Sequence, residues 1–263
     1  MPEIRPPFGY GALKLLDRSD HVRLLGPGQL PPFVSRSQIV PLAYDEIVPA
    51  AWHYPIVFVH DPAADQYNVV GVMGLSRNRN SFGGDDGWDA AAYPPAYVRR
   101  YPFCMASVVR DDTPDPDLLV CVEADHVSEG PAEGAVRLFL EDGQPTPRWT
   151  AIEGFLATYE ADLAAARAFA ARLVELELLD TFTANVTRAG AEPFSLTGMW
   201  RVNEARLAEL DAATVLALHR SGHLARVTLH LFSLQRFQSL LQREGGQVVS
   251  PPVPAADPVE AVA

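Results

Sequence analysis

Only two cysteines, Cys104 and Cys121, occur in 263 residues, and they have no CxxC spacing. Neither a disulfide scaffold nor a thiol redox motif can therefore be read from them. Each sits in an apolar run of strand length, FCMASVV and LLVCVEAD, so the plainer reading is two buried thiols that could be neighbours in one sheet. Positive charge is also scarce: 21 Lys+Arg against 33 Asp+Glu give a formal charge of −12. Such a surface repels phosphate backbones, which argues against nucleic acid as a partner. No stretch of about 18 apolar residues is present, so no membrane insertion is expected. The N-terminal MPEIRPPFGYGALKLLDRSD has neither the apolar centre nor the cleavage site of a secretory signal, and the expectation is a cytoplasmic protein.

The familiar signatures of catalysis are missing as well. Ser76 and Ser233 stand outside any GxSxG context. Gly83-Gly84-Asp85-Asp86-Gly87 lacks the spacing of a P-loop, a dinucleotide fingerprint or an EF-hand, and reads as a polar turn. His219 and His223 have HxxxH spacing, but Gly222 between them is a helix stop and no HExxH glutamate accompanies them. His60-Asp61 and Asp125-His126 place unlike groups on opposite faces of a strand, so neither dipeptide makes a ligand pair. No metal and no cofactor is called for.

What is present is a core. Hydrophobic residues make up 48% of the chain, ample for a sizeable folded domain. Residues 1–35 are rich in proline and glycine and read as an irregular arm that wraps the domain. SQIVPL, YPIVFVH and YNVVGVMGL have strand character, and AYDEIVPAAW reads as a short helix limited by Pro49. FCMASVVR and DLLVCVEAD suggest a hairpin across DDTPDP, followed by a short VRLFL strand. From about 150 to 179, apolar residues recur at three and four, from Ile152 through Phe155, Tyr159, Leu163 and Phe169 to Leu176. That period predicts one long amphipathic helix whose Glu153, Glu160, Asp162, Arg167 and Arg172 form a solvated face. A second hairpin is expected around Gly190, with Asn203 and Asp211 as helix caps, Gly222 as a left-handed stop, HLARVTLHL as a strand and SLQRFQSLLQRE as a closing helix. The Pro/Ala-rich 245–263 is expected to be a disordered tail. These elements predict a single α+β domain over 36–244, with an antiparallel or mixed sheet and short C-terminal helices.

Residues 76–103 change character, mixing arginines, aromatics, glycines and acids without a sustained period, and if the chain acts at one place this stretch is where it is expected. Arg77, Arg79, Arg99 and Arg100 lie here with Trp88, Tyr97 and Tyr101. Guanidinium groups bind carboxylates and stack on aromatic rings, so the group is a candidate site for a peptide, a protein partner or a small anionic ligand. The plainer alternative has Arg99 and Arg100 pairing with Asp85, Asp86 or Asp89 to close the loop. His230 and Ser233, one turn apart, are additional candidates, more simply read as a buried structural hydrogen bond.

YPIVFV, GLSRNRNSF, Trp88 and PAYVRRYPF, followed in order by ELELLD, LTGMWRVNEARLAEL, RSGHL and HLFSL, resemble the SapC family of bacterial proteins over roughly 38–240. Asn203 stands where an aspartate is expected, and either residue caps a helix. The resemblance implies an accessory role. The family takes its name from surface-layer gene clusters, and similar proteins are associated with TonB-dependent receptors, cupin-like proteins and halogenase-like proteins. The leading expectation is a binding or accessory protein acting through 76–103. The alternatives are an enzyme modifying peptide or amino-acid side chains alongside an oxidative partner, and a surface-layer-associated structural component.

Overall fold

The computed structural model describes residues 3–4, 6–110, 113–114, 118–187 and 192–245. Every strand pair among them is antiparallel. The principal sheet has five strands in the order β15 (Leu179–Val186), β16 (Phe194–Val202), β5 (Ile56–Asp61), β6 (Gln66–Val72) and β4 (Ile39–Pro41). Around it lie three small sheets and a ribbon. β2 (Leu13–Leu15), β12 (Leu119–Glu123) and β9 (Phe103–Ala106) form one, and β13 (Val127–Ser128), β3 (His21–Arg23) and β14 (Ala135–Arg137) another. β1 (Glu3–Ile4), β10 (Val108–Arg110) and β11 (Thr113–Pro114) make the third, and β7 (Gly83–Gly84) with β8 (Gly87–Trp88) the ribbon. The fold is α+β.

The long helix α3 (Pro147–Glu175) begins where Thr146 caps the Trp149 N–H and Pro147 occupies the first turn, where its missing donor costs nothing. It stops four residues earlier than the apolar period suggests. Glu177 takes a φ of 54°, and Leu178 N–H turns back to the Leu173 carbonyl, closing the last turn without a glycine. Leu156, Tyr159, Ala166, Phe169, Ala170 and Leu173 are its buried face.

Shorter helices complete the chain: α1 (Ile47–Ala50), α2 (Ala96–Arg99), α4 (Glu204–Ala208), α5 (Ala212–Arg220), α6 (His223–Ser233) and α7 (Arg236–Arg243). Pro49 lies inside α1, in the first turn, where no intrahelical donor is lost. Asn203 and Asp211 cap α4 and α5, and Gly222, at φ 77°, separates α5 from α6. HLARVTLHL is therefore helical, not a strand. Val227, His230 and Ser233 are buried at spacings of three, and that period prevails over the β-branched Val227-Thr228 pair. The N-terminal arm is also more than a wrapping. It supplies β1 to β3, and Tyr10, Val22 and Val34 are buried in the core.

Cys104 and Cys121 face each other across β9 and β12, both buried and both free. Gly190 and residues 246–263 lie outside the described residues, so the second hairpin turn and the proposed tail do as well. No helix among the described residues is long and apolar enough to cross a membrane.

A candidate ligand cavity floored by Arg100

Glu46 fixes the segment that carries the site. Its buried carboxylate accepts hydrogen bonds from the Ala43 N–H at 3.0 Å, the Ala96 N–H at 2.5 Å and the Tyr93 hydroxyl at 2.9 Å. The Tyr54 hydroxyl donates to the Tyr93 carbonyl. Burial pushes the Glu46 carboxyl above its ordinary range, against the pull of these donors. Three of these bonds, two to Glu46 and one from Tyr54, anchor 93–96 to the core and start α2, which presents Tyr97 and, just past its end, Arg100.

Arg100 is only 4% exposed. Its guanidinium stands over the Tyr97 ring at 4.3 Å, Tyr159 at 5.2 Å and Tyr10 at 5.4 Å, a cage of aromatic faces suited to a weakly hydrated cation. Nη1 donates to Glu160 Oε1 at 3.2 Å, while Nε is buried without a hydrogen-bond partner. The Tyr159 hydroxyl, on a side chain of a residue 3% exposed, is likewise buried and unpartnered. Burial raises the Glu160 carboxyl, with Arg100 and Arg167 opposing, and burial raises the Tyr159 phenol.

These groups wall a cavity of about 520 Å3 between α3 and one face of the principal sheet. Ile39 and Pro41 of β4, Val70, Asn68 and Gln66 of β6, and Val59 and Asp61 of β5 line it, residues that the strand register places on a common face. Tyr159, Glu160, Leu163 and Arg167 of α3 lie opposite, and the arm closes one side with Pro7 and Phe8. The Tyr97 hydroxyl donates to the Phe8 carbonyl, tying the arm to α2.

The residues singled out from the sequence are not all brought together. Tyr97 and Arg100 share the large cavity. Arg99 and Tyr101 line, with Arg100, a second one of about 350 Å3 against Ile152 and Phe155. Arg99 is exposed, stacked over Phe155 at 5.1 Å and bonded to the Tyr93 hydroxyl at 3.1 Å. Tyr101 packs against His126 at 5.1 Å. Arg79 and Trp88 border a shallow depression with Arg243, and Arg77 is exposed on the same loop. Neither Arg99 nor Arg100 pairs with the loop aspartates. Asp89 is instead held by Arg243 at 2.8 Å, and Glu244 accepts from the Leu75 N–H at 2.8 Å and the Ser81 hydroxyl at 3.0 Å, so the end of α7 closes the loop.

Glu160 and Asp162 depart from the solvated face expected of α3, since Glu160 pairs with Arg100 and Asp162 accepts from the Asp45 N–H at 3.0 Å. Tyr10, Tyr159 and Glu160 are the site residues that sequence reasoning missed. Adjacency of Tyr159-Glu160 at the border of the apolar stripe was the available signal. His230 and Ser233 bond to the backbone of β5 and β16, inside the core. The Tyr44 hydroxyl lies 2.7 Å from His223 Nδ1, while His60 meets Asp65 and His126 meets the Arg23 carbonyl. No group of three His, Cys, Asp or Glu among the described residues is placed to hold a metal ion.

The amino-acid sequence matches the SapC family model from residue 16 to residue 240, most of the chain. The chain belongs to the SapC family. The match begins within the arm and ends in α7, so α3, β4, β5 and β6, which wall the cavity, and α2 fall inside the matched region, while Pro7 and Phe8 precede it. No curated protein and no solved structure matches the chain.

Proposed function

We propose that this SapC-family chain is a binding protein that takes a small molecule or a peptide side chain into the cavity beneath α3, with residues of the 76–103 loop forming its polar floor. One observation carries this reading: a cavity of about 520 Å3 has an apolar lining from Ile39, Val59, Val70 and Leu163 and is bordered by Tyr97, Arg100, Tyr159 and Glu160. An apolar lining with a few polar groups is the usual make-up of a ligand pocket. The test is solvent extraction of the purified full chain followed by mass spectrometry, beside a Leu163→Trp variant that fills the cavity. A compound present in equimolar amount in the parent and lost from the variant supports the reading; identical extracts contradict it.

Exposed Arg77 and Arg79, on either side of Asn78, which has a left-handed φ of 56°, favour a second reading in which an anionic peptide or protein partner docks on the outer surface of the loop. Replacing both arginines by serine would then weaken partner retention while leaving the extract unchanged.

A further inference from the structure

We infer that β15 is an interaction edge that pairs with β15 of a second copy of this chain, joining two principal sheets into one. β15 closes one side of the five-stranded sheet, and no strand among the described residues lies beside its outer backbone groups. An open edge is a template for another strand, and folded chains ordinarily blunt it by shortness, charge, proline or a bulge. The opposite edge has two of these devices, since β4 has three residues and ends in Pro41. β15 has neither. It is eight residues long, and from Thr181 to Val186 it reads TFTANV, without a charge or a proline. Asp180, its only charged residue, is already engaged, accepting from Asn203 Nδ2 at 2.6 Å and pairing with Arg206 at 3.0 Å. The irregularity of the hairpin falls in β16: Phe182 pairs with Met199 and Ala184 with Leu196, so the extra residue belongs to Thr197-Gly198, where Gly198 takes a φ of 78°. The bulge therefore does not interrupt the outer strand.

A second copy is the occupant this edge fits. The chain carries a formal charge of −12, so two copies repel over most of their surface and meet with least repulsion along an uncharged strip. In an antiparallel pair with its two-fold axis at Thr183, Phe182 lies opposite the second copy's Ala184, and Thr181 opposite its Asn185. Phe182, the bulkiest residue of the strand, then meets a small one, and no like charges face each other. The two faces also match in kind. Phe182 and Ala184 are half-buried on the side where Phe182 packs against Phe237 of α7 at 5.6 Å, while Thr181, Thr183 and Asn185 are exposed on the other. Pairing extends an apolar strip on one face and a row of hydroxyl and amide groups on the other.

Sedimentation equilibrium of the full chain over a concentration series tests this, with Thr183→Lys and Thr183→Ser beside the parent. The parent is expected to dimerise. Thr183→Lys sets two like charges together at the axis and is expected to weaken the dimer about tenfold, whereas Thr183→Ser leaves it unchanged. Hydrogen exchange of the parent at high and low concentration gives a reading that needs no variant: amides within 179–186 should exchange about fivefold more slowly where the dimer prevails. A parent that stays monomeric throughout the series overturns the inference. So does a dimer indifferent to Thr183→Lys, or one whose β15 amides exchange at the same rate at both concentrations.

Discussion

His230 completes the hydrogen bonding of Ile56 where the sheet leaves it open. Its Nε2 accepts from the Val202 N–H at 3.1 Å, which places the proton on Nδ1 to donate to the Ile56 carbonyl at 2.9 Å. Ser233 accepts from the Ile56 N–H at 2.9 Å. β5 and β16 share a single register pair, Trp200 with Phe58, so one turn of α6 bridges the strands where their own ladder does not. Replacing His230 by Asn should cost about 2–4 kcal/mol at neutral pH, measured by urea unfolding.

The same histidine sets a pH dependence. Burial holds its pKa down to about 4, from an ordinary 6.5. The unfolded chain then takes up a proton first as pH falls, so the His230 contribution is full above about 6.5 and is lost between there and about 4. The stability gap between the parent and His230→Asn should narrow across that window, by an amount on the order of 3 kcal/mol. A constant gap from pH 7 to 4 would mean that the imidazole is not held neutral.

Arg100 and Glu160 form a pair whose halves are unequal. The Arg100 side chain is 3% exposed and that of Glu160 16%. Removing the anion leaves a caged cation, and Glu160→Ala should destabilise by about 2–4 kcal/mol. Glu160→Gln retains an acceptor and should lose less. Equal losses for the two, by thermal unfolding, would contradict a role for the acceptor.

Glu46 is expected to control order in the loop more than elsewhere. In Glu46→Ala, the Ala43 and Ala96 N–H groups and the Tyr93 hydroxyl lose their common acceptor. Hydrogen exchange should accelerate over 93–100 beyond any global change. Uniform acceleration along the chain would show only a general loss of stability.

Gly222→Ala tests the turn between α5 and α6. At φ 77° an L side chain is strained, and a Cβ there would meet Arg226 Nη1 at 3.3 Å and the Tyr44 hydroxyl at 3.6 Å. A loss of about 1–2 kcal/mol is expected. A gain would mean that this turn relaxes at little cost.

The sequence was legible where the controlling physics is local. The α3 period, the Asn203 and Asp211 caps, the Gly222 stop and the β5 and β6 runs each depend on a few neighbouring residues. The family was legible from ordered blocks spread over the chain. Long-range partners were not. Glu160 resembles any charged helix residue until α2 delivers Arg100 to it, 60 positions away in sequence. The arm's Tyr10 and Val34 look like residues of an irregular segment until the sheets bury them. α6 was misread because its two anchors, His230 and Ser233, are polar residues at core positions, which the apolar pattern does not mark.

The central claim is that the space beneath α3 binds an apolar ligand. Calorimetric titration of octanamide at several temperatures, into the parent and into Leu163→Trp, tests it most directly. The account predicts binding with a negative heat-capacity change in the parent, as apolar surface leaves water, and none in the variant. Equal binding by the two proteins would place the ligand elsewhere and contradict it.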